Sequence, residues 1–447
     1  MSTPRPSQIP RGFRFAAAAC GLKKTGGLDL ALISSDTPAS AAAVFTTNLV
    51  QAAPVVLSRE HVRKSARSMH AIVVNSGNAN CCTGREGMRA SRDTAASVAR
   101  ELGCMPDEVI VCSTGVIGVP MKVEKILSAL PALANSRSAR GESFDAVTHA
   151  IMTTDTRPKW AAASCRIAGK TVRVLGCAKG AGMIHPNMAT MLAFVLTDAA
   201  ITPVLLRRAL REVTARTFNS ITVDGDTSTN DTLGVLANGA SGAPPIRLLP
   251  DSLRKGNRWR GDLSSYTLFC NSLAKVCVHL ALEIVRDGEG AQRVVEIKVC
   301  GARSDRDARR IALTIAHSPL VKTALAGADP NWGRILAAAG RAGVRFDPNR
   351  TRISLAGIPV FRRGRPLPFD EAAAHQAMLA KTITMVVDLG ERTLRRNSKT
   401  ENRKSESTRH TSLATRLSRA KSRSYSSRIW TCDFTGEYVR INASYRT

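Results

Sequence analysis

Short apolar runs alternate with stretches of helical spacing along most of the chain. Ala71-Ile-Val-Val74 and Val109-Ile-Val-Cys112 predict strands, each followed by a glycine-bearing turn. Between them, residues 86–102 return Ala, Val and Leu at helical intervals, and 121–130, 143–152 and 203–217 do the same. Pro131 predicts a stop for the helix over 121–130, since a proline has no N–H to continue it. Residues 190–197 form a mostly apolar run and predict a buried strand. Residues 294–300 alternate and predict a half-exposed strand, and 382–388 predict another. No internal repeat is present. Strands and helices mixed in this way predict α/β or α+β layers. No run approaches the roughly 20 apolar residues that a membrane-crossing helix needs.

Two segments break the pattern. Residues 391–429 are rich in Ser, Arg and Lys and poor in large apolar groups, a composition that predicts disorder. A flexible insertion, a tether attracting nucleic acid and an artefact of the sequence are all open for it. The shorter stretch 243–260 carries Pro244, Pro245 and several Arg and predicts an extended surface loop. The formal charge of +29 draws polyanions or anionic substrates, and part of it comes from 391–429. Elsewhere the arginines are dispersed, as at Arg207, Arg208, Arg211 and Arg216, which predicts a solvated helix face. No aromatic-interleaved basic patch occurs, so a nucleic-acid partner is not expected.

The cysteines are scattered, without CxxC or zinc spacing, which suits a reducing compartment and predicts no metal. Cys165, Cys177, Cys270, Cys277 and Cys300 sit among apolar residues and read as small core hydrophobes. Arg5, Arg11 and Arg14 precede Phe15-Ala-Ala-Ala-Ala-Cys20 with no acid before Asp29, a faint transit-peptide pattern. Its apolar core is short, so the expected location is the cytoplasm, with an organellar matrix as the alternative. There is no dinucleotide fingerprint and no P-loop, so no bound cofactor is expected.

One junction offers chemistry. Lys179-Gly-Ala-Gly-Met-Ile-His-Pro-Asn-Met-Ala-Thr190 is a Gly-rich polar loop that runs into the apolar strand Met191-Leu-Ala-Phe194. Thr190 is either a buried strand-start residue or a nucleophile. Scission of the Ala189–Thr190 bond would give it a free α-amine, and one residue would then hold both nucleophile and base. His185 invites a Thr–His dyad, but no supporting Asp stands at a telling position, so it reads as a loop residue.

This junction resembles the self-cleavage site of the ornithine acetyltransferase family, also called the bifunctional glutamate N-acetyltransferase or ArgJ family. The resemblance recurs, in the family's order, at Val74-Asn-Ser-Gly-Asn-Ala-Asn80, Ser113-Thr-Gly115, Met152-Thr-Thr-Asp-Thr156 and Asp224-Gly-Asp-Thr-Ser-Thr-Asn230. It continues at Asp287-Gly-Glu-Gly290, Gly327-Ala-Asp-Pro-Asn-Trp-Gly-Arg334 and Tyr438-Val-Arg-Ile-Asn-Ala-Ser-Tyr-Arg-Thr447. The family usually joins the elements at Asp388–Gly390 and Trp430–Asp433 by a shorter link than 391–429.

The resemblance implies a layered α/β sandwich, cut into an α piece (1–189) and a β piece (190–447) that assemble as a heterotetramer of two α and two β chains. It implies acetyl transfer from N2-acetylornithine to glutamate through an acetyl-Thr190 ester, with acetyl-CoA as a further donor in part of the family. Thr114 and Gly115 would form the oxyanion hole, against the alternative of a simple turn. Thr153, Lys179, Thr190, Glu289, Asn442 and Thr447 would bind substrate. Each has a plainer alternative: a helix-end hydroxyl for Thr153, an exposed loop Lys for Lys179, an acidic turn for Glu289, a frayed terminus for Asn442 and Thr447. The segment 391–429 bears most on the last two, because it precedes the final strand. Trp332 reads as a packing residue, with Asn331 or Arg334 tying loops. A related Thr-nucleophile amidohydrolase or aminopeptidase, and a basic nucleic-acid-binding protein, are the competing functions.

Overall fold

The computed structural model describes residues 3–24, 26–185, 191–248, 264–390 and 425–443, with backbone alone at 254–255 and 258–259. Ala189, Thr190 and Thr447, and residues 391–424 of the insertion predicted over 391–429, lie outside the described residues. The chain forms two compact units, 1–291 with 435–447, and 292–434.

The first unit is built on one sheet. Its strands are β1 (Phe13–Ala18), β2 (Leu30–Phe45), β3 (Met69–Asn75), β4 (Val109–Ser113), β5 (Lys159–Ile167), β6 (Lys170–Lys179), β7 (Leu192–Thr197) and β8 (Thr232–Ala237). They run in the order β4-β3-β2-β8-β7-β6-β5, with β1 beside β2. Alternation along the strands sorts side chains into two cores. Leu30 and Leu32 of β2 and Ala71 and Val73 of β3 face one; Ala31, Ile33, Ile72 and Val74 face the other. Both faces are therefore covered, which is why the strands read as continuous apolar runs.

Helices α1 (Ala53–Lys64), α2 (Gly84–Leu102) and α3 (Val123–Asn135) bring Leu57, Val98 and Leu130 to the first core. Helix α4 (Gly141–Ala150) brings Phe144 to the second, edge-on to Phe15 with ring centroids 5.0 Å apart. Helix α5 (Pro203–Ala215) starts at a Thr202 cap and leaves Arg207, Arg208, Arg211 and, just past its end, Arg216 exposed, as the pattern predicted. Pro131 does not stop α3: it sits inside the helix on the exposed side, while Leu133 and Ala134 continue into the core. Burying those two side chains outweighs the one lost helix bond at a solvated position.

Residues 243–248 have no regular structure, but Ala243 and Ile246 are buried, so this start of the expected surface loop is partly packed. A short hairpin follows, β9 (Arg254–Lys255) with β10 (Arg258–Trp259). Helix α6 (Ser265–Arg286) is interrupted by Asn271, Ser272, Lys275, His279 and Glu283, so it is not a continuous apolar run. At 22 residues and mean hydropathy 1.6 it is long and apolar enough to cross a bilayer. Here it lies along β5 and β6, where Val276 and Leu280 pack against Gly176, and it leaves Lys275 and His279 exposed.

The second unit holds β11 (Val294–Ala302), α7 (Asp305–Ala316), α8 (Pro319–Ala326), α9 (Trp332–Gly340), β12 (Arg352–Leu355), β13 (Ile358–Arg362), β14 (Arg365–Pro366), α10 (Glu371–Met378), β15 (Thr382–Asp388) and β16 (Tyr425–Cys432). Its sheet order is β14-β13-β12-β15-β11-β16. The alternation at 294–300 buries Val295, Ile297 and Val299, and Ile311 and Ile315 of α7 join their core. Residues 425–429, expected to belong to a disordered insertion, are instead part of β16, paired antiparallel with β11. Its buried Ile429 and Cys432 supply the apolar anchor that the Ser/Arg-rich composition obscured. Trp332 packs as expected, stacked on Phe361 at 5.1 Å, and Arg334 donates to the Leu320 carbonyl at 2.9 Å. The chain's last described element is a helix, α11 (Gly436–Ala443), where a final strand was expected; it belongs to the first unit.

Candidate active site

The site gathers where β4 and β6 end. Beyond β4, Thr114 donates its N–H to Asn75 and Val116 its N–H to Gly77. Gly115 turns this corner at φ +132°, and any side chain there would strike the backbone of Gly77 and Asn78. Asn side chains complete the corner. Asn75 Nδ2 donates to the Asn78 carbonyl at 2.9 Å, and Asn230 Nδ2 donates to the carbonyls of Ala79 (2.7 Å) and Ser113 (2.8 Å). The Gly115 N–H itself has no backbone acceptor among the described residues.

Lys179, the last residue of β6, is buried at 3 % exposure, which overturns the alternative of an exposed loop lysine. Its Nζ donates to Thr114 Oγ1 at 3.2 Å, so the Thr114 hydroxyl keeps its own proton to give. Burial pushes the Lys179 ammonium below its ordinary range; Asp155 opposes that push and Lys159 adds to it.

A buried ion network ties the surrounding segments. Lys159 Nζ lies 2.6 Å from Asp155 Oδ1 and 2.5 Å from Asp287 Oδ2, and all three side chains are essentially inaccessible. Asp155 also accepts the Gly180 N–H at 2.6 Å and the Thr153 N–H at 3.0 Å. Thr156 bonds to Asp287 through both its N–H and its hydroxyl. Burial alone would raise the Asp155 carboxyl; the ammonium groups of Lys179 and Lys159 and the Gly180 N–H more than offset that and hold it at about 2. Thr153 is in a turn past the end of α4 rather than at a helix terminus, and its position comes from Asp155.

Glu289 is buried, its N–H on the Ala181 carbonyl, and its Oε2 accepts from Asn442 Nδ2 at 2.8 Å. A side chain at Gly182 would collide with its carboxylate. The Gly290 carbonyl receives the Thr435 hydroxyl at 2.8 Å, which seats α11 and so delivers Asn442. Asp224 accepts the N–H groups of Met183 (2.5 Å) and Ile184 (2.8 Å) and the Tyr438 hydroxyl (3.3 Å), steadying the loop that leads toward residue 190. His185 is the last described residue of that loop.

These residues line one cavity of about 120 Å³. Thr114, Gly115, Thr153, Lys179, Glu289 and Asn442 all border it, with Ser228, Thr229 and Asn230. Every proposed site residue that is described reaches it. A larger cleft of about 740 Å³ shares Gly115, Thr153 and Thr154 with it and carries Lys23, Lys24, Lys122 and Lys125. Sequence reasoning missed the framework of Lys159, Asp155, Asp287, Asn75 and Asn230. All but Lys159 stand inside the family-like motifs, but nothing in a chain's order shows that Lys159 bridges two carboxylates 4 and 128 residues away.

Residues 14–447 match the model of the ArgJ family. The chain belongs to the ArgJ family. The arginine biosynthesis bifunctional protein ArgJ of Symbiobacterium thermophilum is 46 % identical over 442 residues, covering 98 % of each chain. That of Thermosynechococcus vestitus is 46 % identical over 438 residues, covering 98 % of this chain and 97 % of its own. A crystal structure of the ArgJ protein of Bacillus halodurans aligns at 34 % identity and TM-score 0.44, covering 56 % of this chain and 98 % of that one. As an ArgJ-family member the chain is an acyltransferase of arginine biosynthesis.

Strands β6 and β7, which flank residues 189 and 190, lie side by side in one sheet, with β8 on the other side of β7. The Ala189–Thr190 bond therefore does not mark a boundary between compact units.

Proposed function

We propose that the chain moves acetyl from N2-acetylornithine to glutamate through an ester on Thr190, formed after the backbone opens between Ala189 and Thr190. The observation that carries this reading is the convergence of Thr114, Gly115, Thr153, Lys179, Glu289 and Asn442 on one small cavity. In the proposed reaction the Thr190 hydroxyl attacks the acetyl carbonyl and its own α-amine takes the proton. An α-amine titrates at roughly 7.7–8.0, well placed for a general base near neutral pH. The Gly115 N–H and the Thr114 O–H receive the developing oxyanion. Lys179 supports this by occupying a lone pair of Thr114, and we assign it the substrate α-carboxylate as well. Glu289, steadied by Asn442, takes the side-chain ammonium of ornithine; Thr153 and the terminal Thr447 complete substrate binding. Ornithine leaves, and glutamate enters the same pocket and accepts the acetyl group.

The pieces 1–189 and 190–447 would assemble as a heterotetramer of two copies each, acting in the cytoplasm without a bound cofactor. The lysine-lined cleft beside Gly115 supports acetyl-CoA as a further acetyl donor, since its four ammonium groups suit a phosphorylated carrier. Initial rates with acetylornithine and glutamate test the covalent route. Parallel double-reciprocal plots are expected; intersecting plots would rule it out. Acetate released without glutamate would favour a Thr-nucleophile amidohydrolase instead.

A further inference from the structure

At the opposite end of β3 and β4 from the catalytic corner, three side chains of different chemistry meet. His70 stands at the start of β3, and Glu108 immediately precedes β4. The two strands are parallel with Ala71 opposite Val109, so the register itself places His70 beside Glu108. Their Nδ1 and Oε2 atoms are 3.3 Å apart. Cys104 comes from the end of α2, where Gly103 in the left-handed conformation turns the chain back and the Cys104 N–H closes on the Ala99 carbonyl. One ligand atom from each of His70, Cys104 and Glu108 lies within 4.8 Å of the others, and all three residues are half-buried.

We propose that His70, Cys104 and Glu108 form a binding site for a divalent transition-metal ion of the zinc class. Imidazole nitrogen, thiolate sulfur and carboxylate oxygen are the donors such an ion takes, and three protein ligands leave a fourth, open position for water. The supporting contacts fit that role. The Ser68 carbonyl lies 2.9 Å from His70 Nδ1, the kind of backbone contact that orients a ligating ring. The Met105 N–H donates to Glu108 Oε2 at 3.0 Å and fixes the orientation of the carboxylate. Neighbouring Asp107 is paired to Lys64 at 2.8 Å and does not compete for the ion. On binding, the sulfur–hydrogen bond of Cys104 is replaced by a sulfur–metal bond and the proton passes to solvent, with no change in oxidation state. One thiolate and one carboxylate then balance the charge of the divalent ion. The ion would tie the end of α2 to the start of the two strands whose far ends carry Asn75 and Thr114. It would act on stability rather than in the acetyl-transfer step.

The test is titration of the full-length protein with Co²⁺ and, separately, Zn²⁺. Co²⁺ is expected to give a thiolate-to-metal charge-transfer band that saturates at one ion per chain. The Cys104→Ser variant should lose this band, and His70→Gln and Glu108→Gln should each weaken binding at least about tenfold. Zn²⁺ should raise the thermal midpoint of the wild type and not that of Cys104→Ser, while the metal-free midpoints of the two stay together. A band that survives in Cys104→Ser would assign the ion to another thiol and overturn the site. Absence of a band, or an equal Zn²⁺ effect in both proteins, would overturn it as well.

Discussion

Replacing Asp155 by Asn removes the charge between two buried ammonium groups. The carboxyl has moved from an ordinary 3.8 to about 2 in the folded chain. A tenfold change in proton affinity is roughly 1.4 kcal/mol, so its charged form contributes on the order of 2 kcal/mol to stability. The substitution should cost more than that, about 3–5 kcal/mol, because Lys179 loses the carboxylate that most opposes its burial and Lys159 loses one of its two carboxylate partners. Since the folded carboxyl is the more acidic, its contribution is complete above 3.8 and is lost as pH falls toward 2. The gap between wild type and Asp155→Asn should therefore be full at neutral pH and shrink below pH 4. Urea unfolding at pH 7, 4.5 and 3 measures it. Acetyl transfer should fall too, because Asp155 places the Thr153 and Gly180 backbone. A gap under about 0.5 kcal/mol at pH 7, or one that widens on acidification, would refute the account of this network.

Two other substitutions probe the corner and its border. Thr114→Val keeps the shape and removes the proposed oxyanion donor, so kcat for acetyl transfer should fall about 10²–10³-fold, and because buried Lys179 also loses its acceptor, stability should fall by about 1–3 kcal/mol; an unchanged kcat would remove Thr114 from the oxyanion hole. Asp231 is buried, its Oδ1 on the Met191 N–H at 2.7 Å and its Oδ2 without a hydrogen-bond partner among the described residues, and burial pushes its carboxyl well above 3.8. A folded-state rise means that wild-type stability is complete below 3.8 and is lost as pH climbs toward the folded value. Asp231→Asn should therefore gain on wild type with rising pH, by at most about 1.4 kcal/mol per pH unit. Unfolding midpoints at pH 4 and 7 that keep a constant difference would contradict this.

The strands around the site were legible because apolar runs such as 71–74 and 109–112 have both faces buried. Helices α2, α3, α4 and α5 were legible from one-sided apolar spacing, whereas α1 and α7, also one-faced, were not read. The misreadings have separate physical causes. Pro131 was taken as a stop because its position on the solvated side of α3 is a tertiary fact. The start of β16 was hidden because a strand at a sheet edge, with Ser426 and Arg428 exposed, has the composition of a loop. Thr114, Gly115, Lys179 and Glu289, which border the cavity, stand in motifs that can be read from the chain. The ion network beneath them cannot, because burial and long-range pairing turn an ordinary Lys and two ordinary Asp residues into a framework.

Intact-mass analysis of the purified protein, before and after incubation with N2-acetylornithine, reads backbone scission and acetyl capture together. Two pieces are expected, the second beginning at Thr190 and gaining one acetyl group on incubation, with a single uncut chain for Thr190→Ala. A wild-type chain that is whole and fully active would contradict this.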